Sequence, residues 1–444
     1  MTAASESAGA PGVNKRSFAQ DVISVVTSRI VMKACQFLIG VVTARLIGAE
    51  GRGLIASLTV APDLAQTFSQ LGVRQSVAYF VGKRHYQPAQ MVPTLIGLAM
   101  LASLTAIAVC LAYYYFTGLT QQHWLLPVLA LAPIPFALLT NYAAGVFLGK
   151  QMIVRFNRVN WIPTALNLLL VVAIGWGTSL DVAGILIAAL IATSLSCGYA
   201  VHLLHSVAPL RIGFDAAVAK QLTRLGIVYA AALFMLTLNY RLPILLLQNL
   251  STFTEVGIYA VGQTLALIIW EIPAMLSNLI FSRGVNTKDS AAFGDNVVVL
   301  ARMVVLAGTV VALGCAVVGP FAIPLIYGAE FARSATVLTL LLPGTVAFMA
   351  FKILHMDIAG RGRPWVSMPV VLPCMLLNTA FSIAVIPDFG AEGAAVMTSA
   401  SYVVATLIYV VVYARITGRS IGSIVRYRRS DFAAAKQRLR DKRK

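Results

Sequence analysis

The sequence predicts an all-α integral membrane protein of about twelve transmembrane helices, arranged as two six-helix bundles with both termini cytoplasmic. Three observations lead there. Of the 444 residues, 59% are hydrophobic and 11% charged, with mean hydropathy +0.83, whereas a soluble domain carries about 25% charged residues. Apolar runs of about 20 residues, enough to cross a bilayer as a helix, recur along the whole chain. Cations gather in every second loop between those runs.

The runs lie near 21–47, 54–80, 91–117, 124–148, 153–177, 182–206, 223–249, 256–281, 296–320, 334–356, 365–386 and 391–413. They are too long and continuous for barrel strands, so each is expected to be a helix that satisfies its own backbone in lipid. One side of the predicted membrane holds Lys15, Arg16, Lys83, Arg84, Lys150, Arg155, Arg211, Lys220, Arg283, Lys288, Arg361 and Arg363. The other holds Arg52 and Arg333 beside Glu50 and Glu330, with Asp181, Glu255, Asp388 and Glu392. Loops rich in Lys and Arg face the cytoplasm, which fixes the orientation. Residues 1–17 are small, polar and expected to be disordered, with no removable signal peptide. Residues 415–444 form a basic cytoplasmic tail with eleven Lys or Arg against Asp431 and Asp441, about half of the net +18. Such a tail is expected to meet anionic lipid headgroups, not nucleic acid. Tyr113–Phe116, Trp124, Trp365, Tyr409 and Tyr413 fall near span ends, where an interfacial aromatic belt is expected. The five cysteines fall singly in different spans and read as small buried hydrophobes.

The longest polar linker, about 207–222, divides the chain into an N-lobe of 18–208 and a C-lobe of 209–414. The halves echo each other. GAEGRGLIA at 48–56 and TEVGIYA at 254–260 align Gly53 with Gly257; DVAGILIAALIA at 181–192 and GAEGAAVMTSAS at 390–401 align Gly184 with Gly393. Six spans per half with the same starting side imply a parallel repeat about the membrane normal.

Span one carries Arg29, Lys33, Gln36 and Gly40 on one helical face. A cation near mid-bilayer costs about 2.5–3.5 kcal/mol on insertion scales, so two on one stripe need a partner, a wet cavity or an anionic ligand. Span two carries Asp63, Gln66, Thr67, Gln70 and Arg74 at steps of three or four, read as a continuous polar stripe. Span seven carries Asn239, Tyr240 and Arg241, and span eight Gln263, Thr264, Glu271 and Asn278. At a 1.5 Å rise per residue, Lys33 lies near mid-membrane, with Asp63 about 6 Å and Arg241 about 7 Å outward and Glu271 about 4 Å inward. Pro62, Pro243 and Pro273, beside Asp63, Arg241 and Glu271, are expected to interrupt these helices near a midplane site.

ARLIGAEGRGLIA after span one, LQNLSTFTEVGIYAVGQTLA between seven and eight, LIYGAEFARSATVLTLLLPG between nine and ten, and IPDFGAEGAAVMTSAS before twelve resemble the polysaccharide and oligosaccharide transporter family. These are Wzx-type flippases, in the superfamily of multidrug MATE exporters and lipid II flippases. The resemblance covers about residues 15–415. It implies a MATE-like pair of six-helix bundles around a V-shaped cavity lined mainly by helices one, two, seven and eight, the spans in which the ionisable residues concentrate. It further implies a secondary transporter in the bacterial cytoplasmic (inner) membrane, not an enzyme. Its substrate would be a lipid-linked polyprenyl-diphosphate oligosaccharide or polysaccharide precursor, and a glycan polymerase or other export component would act beside it. In that setting Arg29, Lys33 and Arg241 are expected to receive the diphosphate. Gln70, Arg74, Asn239, Tyr240 and Asn160 are further substrate contacts, and Asn141, Thr164 and Asn167 outer candidates for sugar hydroxyls. Asp63 and Glu271 serve as counter-ions or carry a coupling proton or sodium ion. No cofactor or metal is expected. A competing arrangement pairs Lys33 with Asp63 and Arg241 with Glu271 and binds nothing. Lys352, His355 and Asp357, at the inner end of span ten, read as solvated or gate residues. Rival functions are a cation-coupled multidrug exporter, a lipid II flippase and a membrane-embedded glycan polymerase or ligase.

Overall fold

A computed structural model describes residues 18–83, 85–119, 124–177, 181–211, 213–274, 276, 280 and 290–427. Lys15, Arg16, Arg84, Asn278, Arg283, Lys288 and most of the basic tail lie outside the described residues. Regular structure among the described residues is helical throughout. By length and composition, eight stretches can cross a membrane, but Thr27–Gly82 has 56 residues and Trp365–Thr417 has 53. Straight helices of that size would be about 80 Å long, against a hydrocarbon core of about 30 Å.

Both stretches fold back at a glycine. In α1 (Phe18–Ser69), Gly48 leaves the helix at φ 64°, a left-handed value that glycine adopts without a Cβ clash. Beyond it, Arg52 Nη1 donates to Thr43 Oγ1 at 3.2 Å; nine residues of straight helix would set those positions about 13 Å apart. In α12 (Met368–Thr417), Gly390 has φ 52°, and Ser401 Oγ reaches back 27 residues to donate to Cys374 O at 3.2 Å. α1 therefore holds predicted spans one and two, and α12 spans eleven and twelve.

The other elements follow the predicted order. α2 (Val73–Gly82) is the inner end of span two and α3 (Pro88–Phe116) is span three. α4 (Leu125–Leu131) and α5 (Ile134–Gly149) share span four. α6 (Ile153–Gly177), α7 (Asp181–His205) and α8 (Ala216–Leu250) are spans five to seven. α9 (Phe253–Ile268) begins span eight, and α10 (Ser290–Tyr327) and α11 (Arg333–Gly360) are spans nine and ten. A five-residue helix, α13 (Ile421–Val425), begins the tail. Asp215 caps α8, its Oδ1 accepting from Ala217 N at 2.8 Å and Val218 N at 3.1 Å, a favoured use of an aspartate that precedes a helix.

The breaks are not where proline alone would put them. Pro62 and Pro243 sit inside continuous helices. Span two breaks instead at Gln70–Gly72, where Leu71 and Gly72 have φ of 45° and 61°, so the polar stripe is interrupted and Arg74 belongs to α2. A Cβ on Gly72 would lie 2.1 Å from Gly226 O. That close approach of α8 to the turn explains why glycine stands at both positions. Span eight breaks at Ile269–Trp270, just before Glu271.

Two glycines bring the halves into close contact. A Cβ on Gly53 would lie 1.7 Å from Phe253 O and 2.9 Å from Gly257 N; one on Gly257 would lie 2.0 Å from Ala49 O. The two glycines aligned by sequence thus meet each other. The same end is tied by Arg45, which donates to the last carbonyls of α10, at 2.9 Å to Ile326 O and also to Leu325 O, a favourable place for a cation at a helix C-terminus. Glu330 Oε2 accepts from Ala49 N at 3.0 Å. The halves are therefore in contact at the end predicted to face outward. At the opposite end, Val218, Ala219 and Leu222 of α8 share a core with N-lobe residues such as Val77, Val92 and Phe147. The C-lobe otherwise packs round one continuous core.

The aromatic belt holds in part. Tyr115, Phe116, Trp124 and Trp365 are exposed, but Tyr114, Tyr409 and Tyr413 are fully buried. Each is drawn inward by a partner: Tyr114 Oη donates to Leu58 O, Tyr413 Oη to Asp357 Oδ2 at 2.7 Å, and the Tyr409 ring lies 4.5 Å from that of Phe351.

Candidate functional site

Lys33, Asp63, Arg241 and Glu271, of spans one, two, seven and eight, converge between the halves. Lys33 Nζ lies 2.9 Å from Glu271 Oε1, and Arg241 Nη2 lies 2.6 Å from Asp63 Oδ2. The competing arrangement, Lys33 with Asp63 and Arg241 with Glu271, is therefore corrected. Each cation pairs with a carboxylate of the other half. Depth accounts for the choice: Lys33 and Glu271 sit within about 4 Å of one level, Asp63 and Arg241 within about 1 Å of another. Each carboxylate is ion-paired in this structure.

The pairs are not sealed. The side chains of Lys33 and Glu271 are 44% and 27% exposed, and those of Arg241 and Asp63 are 34% and 41% exposed. Both pairs thus keep part of their side-chain surface accessible. Arg241 also lies over the Tyr240 ring, 6.0 Å from its centroid, at the outer limit of a cation–π contact. Gln263 Nε2 donates to Tyr240 O at 2.7 Å and ties span eight to span seven at the site. Arg29, two helical steps inward of Gln36 on the same stripe, has no ion pair among the described residues.

Other expected contacts are placed less directly. Gln70 lies in the turn that ends α1. Arg74 Nη1 donates to Asn141 Oδ1 at 3.2 Å, and its guanidinium lies 5.2 Å from the Phe156 ring centroid, so it is held within the first half. Asn160 donates to Phe156 O at 2.6 Å on its own helix. Asn239 is 4% exposed and does not line an open space in this conformation.

Span ten corrects the sequence reading. His355 and Asp357 are buried, Asp357 accepting from Arg361 Nε at 3.1 Å and from Tyr413 Oη at 2.7 Å. Neither is solvated. Lys352 sets its Nζ 3.6 Å above the Trp270 ring, beside Glu271, and Trp270 is itself anchored by donating Nε1–H to Thr345 O at 2.9 Å. Sequence position put Lys352 at the inner boundary. The missing signal was direction: helical side chains lean towards their own N-terminus, which for span ten is towards mid-membrane. Lys352 is thus a fourth cation of the site.

The fold defined by these halves is that of the multidrug, oligosaccharidyl-lipid and polysaccharide exporter superfamily. The structure is similar to a lipid II flippase, MurJ, in an inward closed conformation, with TM-score 0.73 and 13% identity over 91% of this chain and 89% of that one. It is similar to a multidrug resistance MATE transporter in an inward-facing conformation, with TM-score 0.68 and 12% identity over 90% and 98%. A superfamily transporter from Pyrococcus furiosus, described as having a binding pocket of reverse polarity, matches with TM-score 0.58 and 12% identity over 90% and 96%. No curated protein matches by sequence. The family described as polysaccharide biosynthesis protein matches residues 18–281, more than half of the chain, and the chain belongs to it.

Proposed function

We propose that this chain is a flippase. It moves a lipid-linked oligosaccharide or polysaccharide precursor, carried on a polyprenyl diphosphate, from the inner to the outer leaflet of the bacterial cytoplasmic membrane. The observation that carries the proposal is the pair of ion pairs that join the halves, Lys33 with Glu271 and Arg241 with Asp63. The cations are held ready by carboxylates that a diphosphate can displace. Guanidinium binds phosphate oxygens in bidentate fashion and lysine adds a point charge, while Arg29 and Lys352 enlarge the positive field. Displacement loosens contacts between the halves, so substrate binding and rocking of the bundles are linked, as alternating access requires. The lipid tail stays in the bilayer while the headgroup crosses.

A cation-coupled drug exporter is disfavoured by the same four cations, which repel cationic cargo. A lipid II flippase shares the fold, and the two are separated by which precursor accumulates when the gene is lost. Reversing Arg29, Lys33 or Arg241 to Glu is expected to abolish glycan export at normal protein abundance. Full export in all three variants would refute the proposal.

A further inference from the structure

On the first half, Gln36 of α1, Thr164 and Asn167 of α6, and Thr193 of α7 line an open cavity of about 340 Å³, with Ile39 and Pro163 among its apolar walls. The volume falls in the range of small-ligand sites, about 300–1,000 Å³. None of the lining side chains is ionisable. The cavity is thus electrically unlike the ion-paired ground beside it, although Gln36 stands only three residues from Lys33 on the same stripe, about 4.5 Å along the axis.

The polar atoms are unevenly committed. Thr193 Oγ1 donates to Ala189 O at 2.7 Å, which leaves its lone pairs free to accept. Asn167 Oδ1 is buried with no hydrogen-bond partner among the described residues, although a buried acceptor is nearly always satisfied. Amides and hydroxyls that offer donors and acceptors together, beside apolar walls, suit a ring that bears vicinal hydroxyls on a C–H face. A cation would find no carboxylate here, and an aliphatic ligand would leave the amides unpaired.

We propose that this cavity is the subsite for an uncharged sugar, the one linked directly to the diphosphate. With the phosphate at Lys33, that sugar stands at the mouth beside Gln36 and its hydroxyls reach Asn167, Thr164 and Thr193. The inference rests on the flippase reading and assigns it a sugar-recognising pocket separate from the phosphate-binding cations.

The test compares binding of two lipids to the full-length protein in nanodiscs, polyprenyl diphosphate alone and the same lipid bearing one N-acetylhexosamine. The native protein is expected to prefer the sugar-bearing lipid. The double variant Asn167→Leu with Thr193→Val keeps the number of side-chain heavy atoms and removes the polar ones. It is expected to lose about tenfold in affinity for the sugar-bearing lipid, the scale of two neutral hydrogen bonds, and to bind the bare lipid within twofold of the native value. Ala189→Phe, which fills the cavity, is expected to do the same. An unchanged preference in both variants overturns the subsite while leaving the flippase standing, and so does an equal loss for both lipids. If the native protein binds neither lipid, the flippase reading and the subsite fall together.

Discussion

Removing the Glu271 carboxylate should strengthen phosphate binding even though it breaks an ion pair. Lys33 Nζ and Glu271 Oε1 are 2.9 Å apart. At that distance the Coulomb energy is about 1.4 kcal/mol in water and about 6 kcal/mol at an effective dielectric constant of 20. The side chains are 44% and 27% exposed, so water screens them and the lower end applies; measured exposed pairs give about 0.2–1 kcal/mol. An incoming phosphate must displace Glu271 before it gains Lys33, and so forfeits about 1 kcal/mol. In Glu271→Gln that competition is gone, and the affinity for a polyprenyl diphosphate should rise about fivefold. Asp63→Asn should act alike through Arg241. The assay is equilibrium binding of the bare lipid to protein in nanodiscs, at low and high salt, because the gain should shrink as salt screens the site. Transport should fall in the same variants, since the contacts that reset the empty protein are weakened. Unchanged or weaker binding by both folded amide variants would refute the displacement argument.

Gly53→Ala places a methyl 1.7 Å from Phe253 O, so the outer contact between the halves must part. Cysteine labels near Ala49 should become accessible from outside, and undiminished protection would contradict the contact. Glu255→Gln weakens the pairs to Arg333 and the 2.8 Å acceptance from Ala391 N that caps the second helix of α12; a loss of about 1–2 kcal/mol is expected by thermal unfolding in detergent. Arg302→Ala removes donors to Ser423 O at 2.6 Å and Arg426 O at 3.0 Å, so hydrogen exchange over Ser420–Arg426 should accelerate. If Asp63 or Glu271 carries a coupling ion, its amide variant should flatten the dependence of flipping on pH or sodium; unchanged dependence leaves them as counter-ions alone.

Most of the helical fold was legible in the sequence because lipid removes alternatives: apolar length implies helix. The close contact of the halves left a mark in the sequence at Gly53 and Gly257 because only glycine allows two backbones so close. The site was legible as a set of charges in four spans, but not as pairs, since a helical stripe gives rotation and depth but no neighbour in the other half. The turn at Leu71–Gly72 escaped because proline was the expected interrupter, whereas contact with Gly226 decided the break. Asp357 escaped because polar residues at a span end normally meet water, and here Arg361 and Tyr413 both bond its Oδ2 in the interior.

The central claim is that cations shared by the two halves move a diphosphate-linked glycan. Its most direct test is flipping in vesicles that contain only the purified protein. Two lipids are compared, a polyprenyl-diphosphate oligosaccharide and an analogue with a neutral linkage in place of the diphosphate. The predicted result is protein-dependent flipping of the first lipid, lost in Lys33→Glu and Arg241→Glu, and none of the second. Equal flipping of both lipids, or undiminished flipping by the charge-reversed proteins, would contradict the account.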